Sequence, residues 1–109
     1  MILHLCLSSD WEKSQTESAY HPGSLNLDGF IHCSQPEQIL DVANRYYPGE
    51  HNLVLLWIDL DRLQPKVRWE FADGEDFPHV YGPINMDAIR AVTHFAPNDD
   101  GRFRQFPYR

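Results

Sequence analysis

Positive charge is scarce in this chain. Nine Lys plus Arg stand against 16 Asp plus Glu among 109 residues, a formal net charge of −7. A nucleic-acid coat or a surface docked on anionic lipid needs a positive field, so the balance argues against both. It leaves room for a small anionic ligand, which needs only a few local donors. Cysteine is scarcer still: Cys6 and Cys33, with no CxxC spacing. Both fall in apolar strand-like runs, which predicts two reduced, buried thiols rather than a disulfide. No apolar run is long. The longest, Leu53 to Ile58, is far too short to span a bilayer. The N-terminus lacks the basic start and long apolar core of a signal peptide, so a soluble cytoplasmic protein is expected. GxGxxG, P-loop, GxSxG, HxH and HExxH motifs are absent, as are internal repeats.

What is present is enough for a core. The chain is 42% hydrophobic and 13% aromatic, and its length suits one compact domain. Ile2–Leu7 reads as a first strand. Ser9-Asp10-Trp11-Glu12 has the pattern of a capping box, predicting a short helix to about Ala19. Tyr20-His21-Pro22-Gly23-Ser24 then breaks regular structure. Gly29–Cys33 reads as a second strand. Ser34-Gln35-Pro36-Glu37 is a second capping box, before a helix whose apolar stripe is Ile39, Val42, Ala43, Tyr46 and Tyr47. Leu53–Leu60 has the character of a central strand buried on both faces. Lys66–Phe71 alternates, with Val67, Trp69 and Phe71 on one face and Lys66, Arg68 and Glu70 on the other. Asp73–Asp76 is an acidic turn, Phe77–Gly82 an extended piece, Pro83–Ala91 a helical turn, and Val92–Phe95 a last strand. The mix is α+β, with a domain over residues 1–97 and a basic-aromatic tail over residues 98–109.

Six histidines stand out against this background: His4, His21, His32, His51, His79 and His94. Along a Gly29–Cys33 strand, Phe30, His32 and Ser34 point one way. His32 therefore ends a strand directly before a capped helix, where free N–H groups favour polar ligands such as ribose or phosphate. Ser34 has two readings, ligand contact or helix cap. Phe77-Pro78-His79-Val80-Tyr81-Gly82-Pro83 puts His79 and Tyr81 on one face of a backbone stiffened by two prolines, and Gly82 permits close approach. Glu70 is either solvated beside Arg68 or Arg90, or placed in a cleft with a shifted pKa. His4 sits on the face of Ile2 and Cys6, the usual place of a core histidine. Tyr20 and His21 lie in a loop near His32. A metal site using His4, His32, Cys33, Glu70 and His79 lacks ligand spacing, so no metal is expected. A Cys33–histidine nucleophile pair is opposed by Cys33 facing away from His32.

The strings Asp28-Gly29-Phe30-Ile31-His32-Cys33-Ser34, Val67-Arg68-Trp69-Glu70 and Phe77–Pro83 together resemble a small bacterial family, domain of unknown function 952. The resemblance runs from about Ile2 to Val92. That family resembles the ADP-ribosyltransferase-like fold group, and the opening is similar to its RNA 2′-phosphotransferase branch, where a strand histidine and a later His-x-Ser recur. Here His4 and His32-Cys33-Ser34 match them, but Leu5-Cys6 replaces the Gly-Thr that follows the first histidine. The resemblance implies two small sheets forming a cleft, two helices in the N-terminal half, and a nicotinamide dinucleotide bound in the cleft. It implies catalytic roles for Glu70, His32 and His79. Ligand contacts would come from His4, Tyr20, His21, Ser34, Tyr81 and Gly82, with His4 or His32 on ribose and Tyr81 or Tyr20 stacking on a ring. Three readings follow: NAD cleavage with ADP-ribosyl transfer, a non-catalytic nucleotide or small-molecule binding module, and a metal-assisted hydrolase. None involves a membrane, and a nucleic-acid partner is not expected.

Overall fold

Leu53–Ile58 is apolar at every position, and all six residues are buried. Such a run needs cover on both faces, and the chain supplies it. In the computed structural model, which describes residues 1–106, this strand is β4 and lies at the centre of an antiparallel sheet. Its neighbours are β1 (Ile2–Leu7) and β8 (Ile89–Phe95). One face of the sheet carries Leu3, Leu5, Leu55 and Trp57. The helix α3 (Ile39–Tyr46) covers it with Ile39 and Ala43, and Phe103 joins them. Phe103 stacks near Phe95, and its backbone exchanges two hydrogen bonds with the Asn44 side chain. The other face carries Ile2, Cys6, Val54, Leu56 and Ile58, packed against Tyr20, Ile31, Cys33, Val80 and Ile84.

Those covering residues come from two further sheets. One pairs β2 (Ala19–Tyr20) with β7 (Ile84–Asn85). The other has the order β3 (Ile31–His32), β6 (Glu75–Tyr81), β5 (Lys66–Ala72), all antiparallel. The architecture is thus α+β with three small antiparallel sheets, where the resemblance implies two. The extra sheet arises because the Tyr20 segment pairs with the chain after Gly82 over only two residues and joins neither larger ladder. The alternation of Lys66–Phe71 is expressed as β5. The Asp73-Gly74 step turns it into β6 with φ of 51° and 85°, the two positive values of a tight hairpin turn.

The helices differ from the sequence-based expectation in number and bounds. There are three α-helices among the described residues: α1 (Ser8–Ser14), α2 (Gly23–Asp28) and α3. The first box does not cap α1, which starts two residues earlier with Leu7 at the cap, because Ser8 is tied through both its N–H and its hydroxyl to the Asn52 carbonyl. Ser14 turns its hydroxyl back onto the Trp11 carbonyl at 2.7 Å, and the helix stops there rather than near Ala19. Pro22-Gly23 opens α2 instead of breaking the chain. Proline suits a helix start, where an N–H would lack a partner. The second box is displaced by one residue. Gln38, not Glu37, returns its side chain to the Gln35 N–H at 2.9 Å, and its amide donates to the Asp76 carbonyl at 2.9 Å. The Pro83–Ala91 turn shrinks to Met86–Ala88, because β8 begins at Ile89. Cys6 and Cys33 are both free and buried. No helix among the described residues is long and apolar enough to cross a membrane.

Because β4 is packed from both sides, truncating it should be costly while truncating a solvent-facing leucine should not. Leu56→Ala is expected to lower the unfolding free energy by about 2–5 kcal/mol in urea denaturation. Leu27→Ala, at a side chain 86% exposed, is expected to change it by less than about 0.5 kcal/mol.

Candidate functional site

The short strand β3 is placed by two contacts. It pairs with β6, so His32 lies opposite His79. The residue two further on, Ser34, exchanges two backbone hydrogen bonds of 2.8 Å with Leu3. This seam joins the β3 sheet to the edge of the central sheet. A cleft of about 460 Å³ opens beside it. Its lining includes His4, His32, Ser34 and His79 from the seam, Ser24 from α2, and Phe77 from β6. Val42, Tyr46 and Tyr47 close it from the α3 side, and Ala72 with Asp73 from the hairpin tip.

His79 is the best-organised group. Its side chain is only 8% exposed. Nδ1 lies 2.8 Å from Glu70 Oε1, and the Phe30 ring stacks on the imidazole at 4.1 Å and 20°. Glu70 also accepts from the Tyr81 hydroxyl at 2.5 Å. Tyr81, and then His79, hold the Glu70 carboxyl below the usual carboxylate range, and Glu70 in turn raises the Tyr81 phenol. An ionised carboxylate only accepts, so His79 must carry its proton on Nδ1. In the neutral ring that leaves Nε2 as an acceptor. It has no hydrogen-bond partner among the described residues. His32 is more open, 56% exposed, with Nε2 on Asp28 at 2.8 Å. Ser34 is buried, yet its hydroxyl makes no hydrogen bond among the described residues. It is not the helix cap, because Gln35 and Gln38 hold that place.

His4 and Tyr20 sit differently. His4 donates from Nδ1 to the His32 carbonyl at 2.6 Å and pairs through Nε2 with the Tyr20 hydroxyl at 2.8 Å. The first bond fixes the proton on Nδ1, so the tyrosine donates. Burial pushes the His4 pKa down to about 4 and the Tyr20 phenol well up. Both rings are spent on each other and on the seam, and Tyr20, buried behind His4, is not on the lining. Of the other sequence-derived candidates, Glu70 and Tyr81 are off the lining and reach it only through the bond from Glu70 to His79. His21 is exposed and off the lining. Gly82 is also off it; a Cβ there would come within 3.0 Å of Pro65, so the glycine serves close packing at the end of β6. Burial raises the Cys6 thiol to about 11 and the Cys33 thiol further, so neither supplies a thiolate near neutral pH. Among the described residues no three His, Cys, Asp or Glu side chains converge as a metal site requires.

Several wall residues escape sequence reasoning. Val42, Tyr46 and Tyr47 read as one apolar stripe with Ile39 and Ala43, but the stripe divides. Ile39 and Ala43 enter the core, while Val42 and Tyr46 face the cleft. Tyr46 is 58% exposed, an aromatic at helix spacing that no core covers. It hydrogen-bonds to Asp73, and Arg45 lies 3.3 Å from the same carboxylate, clipping α3 to the hairpin tip. Together they hold the Asp73 carboxyl low, with the Tyr46 bond foremost. Phe30 was detectable, since it shares the strand face of His32.

A family model described as a protein of unknown function, DUF952, matches residues 5–92. The chain belongs to this family. The match contains the strand of His32, the hairpin of Glu70 and His79, and α3, so every lining residue except His4 lies within it. The fold is also similar to protein CC0527 from Caulobacter crescentus. Its crystal structure superposes with a TM-score of 0.84 at 27% identity, covering 94% of this chain and 92% of that one. Its solution structure gives 0.81 at 27%, covering 94% and 90%. No curated protein matches the chain.

The buried His4 ring makes stability depend on pH. A folded pKa near 4 against 6.5 unfolded means the unfolded chain alone binds the proton in between. Stability is complete above the unfolded value and falls as pH drops from 6.5 towards 4, by about 3 kcal/mol for this group. Urea unfolding across that window should show the loss. The His4 ring signals should stay those of the neutral Nδ1–H form down to about pH 5.

Proposed function

We propose that the cleft binds a nucleotide-type small molecule and that His79 exchanges a proton with it, with Glu70 as the residue that positions the imidazole. The observation that carries this reading is the unpartnered Nε2 of a buried, cleft-lining histidine whose other nitrogen is bonded to a carboxylate. A carboxylate behind imidazole fixes the tautomer and stabilises the imidazolium as it forms. The volume lies in the range of small-molecule sites. Tyr46 and Phe77 offer ring faces for a planar group, and Ser24, Ser34 and His32 offer polar contacts for hydroxyls. No Lys or Arg is on the lining. A phosphate would therefore sit at the mouth rather than at the floor.

NAD cleavage within an ADP-ribosyltransferase-like fold is the specific form of this reading. The acceptor, water or a hydroxyl, would attack the ribose C1′ and give its proton to His79 Nε2. The C1′–N bond would break with its electron pair leaving on nicotinamide. Glu70 would act through His79, since it bonds His79 Nδ1 and is itself off the lining. One observation favours the second reading, a binding module without chemistry. His4 and Tyr20, two of the residues the resemblance offers for the ligand, are locked to each other in the core.

Titration of the protein with NAD and ADP-ribose by NMR, together with an assay of nicotinamide release, separates the two. The expected result is shifts centred on His79, Ser34 and Tyr46, with release that His79→Gln lowers by about 10²-fold or more. Glu70→Gln should lower kcat while leaving binding shifts in place, with a changed pH profile. Shifts without release would support the binding module. Unperturbed His79 and Ser34 signals with both ligands would contradict the nucleotide class.

A further inference from the structure

Strand β5 is the edge of its sheet. It pairs with β6 alone, and no backbone hydrogen bond reaches its outer side among the described residues. Trp69 and Phe71 stand on it 47% and 75% exposed. Which groups the free edge presents follows from Pro78. The Pro78 carbonyl accepts from the Cys33 N–H at 3.1 Å, so Pro78 turns its polar backbone towards β3. Trp69, opposite Pro78, therefore occupies a non-hydrogen-bonded position against β6 and turns its own N–H and C=O outward. By alternation Val67 and Phe71 do the same. An exposed row of this kind is a template for another strand.

We propose that a second copy of this chain pairs antiparallel along β5, with the two-fold axis at Trp69. In that register Trp69 meets the partner's Trp69, and Val67 meets the partner's Phe71. All three present outward N–H and C=O groups to each other. On the opposite face Arg68 meets the partner's Glu70, and Glu70 meets the partner's Arg68. These are non-hydrogen-bonded pairs, where side chains come closest. Centring the axis on Arg68 or Glu70 instead sets like charges against each other, and centring it on Val67 sets Lys66 against the partner's Arg68. Trp69 is the middle of Lys66–Ala72, so this register alone pairs the whole strand with its copy. Within one chain Arg68 acts on Glu70 only through space, with no direct ion pair between them. Glu70 spends Oε1 on both of its donors, and its other oxygen has no partner among the described residues. Arg68 lies over the Tyr81 ring at 5.3 Å with no ion pair there. Pairing brings the partner's Arg68 to the carboxylate that positions His79, so the second copy contributes a residue to the cleft's support.

Sedimentation equilibrium across the micromolar range tests this. The native protein should show twice the 12.7 kDa chain mass. Arg68→Glu and Glu70→Arg, each alone, place like charges across the seam and should sediment as monomers. Mixed in equal amounts they restore opposite charges and should form a heterodimer. Slower amide exchange at Val67, Trp69 and Phe71 with rising concentration gives the same answer on the native protein, should either variant fold poorly. A native protein that stays at 12.7 kDa throughout, or single charge reversals that remain dimeric, would overturn the proposal.

Discussion

The site depends on a single seam. Two backbone hydrogen bonds between Leu3 and Ser34, and a third from the His4 ring to the His32 carbonyl, tie the edge of the central sheet to a strand only two residues long. A two-residue strand has little stability of its own. What holds it is the pairing of His32 with His79 on one side and this seam on the other. The seam in turn requires a neutral, buried imidazole at position 4, satisfied at both nitrogens. Removing one partner would leave a buried polar group unpaired, which costs more than the bond itself contributes. The histidine nearest the core is thus a structural fastener, and the cleft is what the fastening leaves open.

That division of labour explains how much could be read from the residues. The period-two alternation of Lys66–Phe71, the all-apolar β4 and the buried free thiols were legible, because each follows from local pattern alone. So were the shared face of Phe30 and His32 and that of His79 and Tyr81. Contacts distant in sequence were not legible. Nothing near His4 says that its partner is Tyr20, 16 residues on, or that the His32 carbonyl waits for it. The stripe of α3 could be counted but not divided, because its two halves differ only in what packs against them. The capping boxes failed for a similar reason: Ser8 is held by Asn52, and Gln38 reaches the β5–β6 hairpin. Tertiary partners decided both helix starts.

Electrostatics then separates three kinds of histidine with one chemistry. His4 is desolvated and neutral by force of burial. His32 is exposed and paired with Asp28. His79 is buried on the cleft lining, with one nitrogen on a carboxylate and the other without a partner among the described residues. The last combines a buried, carboxylate-held ring with a free lone pair, which is what proton transfer to a bound molecule needs. Tyr81 strengthens the arrangement by donating to the same Glu70 oxygen, holding that carboxylate ionised and so unable to donate back. In a network of this sort each bond polarises the next, so Tyr81, Glu70 and His79 act as one unit.

The tautomer of His79 tests this account most directly. Long-range 15N–1H correlation spectra of the histidine rings, recorded at neutral pH without ligand, read which nitrogen carries the proton. The account predicts a protonated Nδ1 and a bare Nε2 at His79, with Glu70→Gln disturbing that preference. A proton on Nε2 in the native protein would place a donor rather than an acceptor in the cleft and would contradict the role assigned to His79.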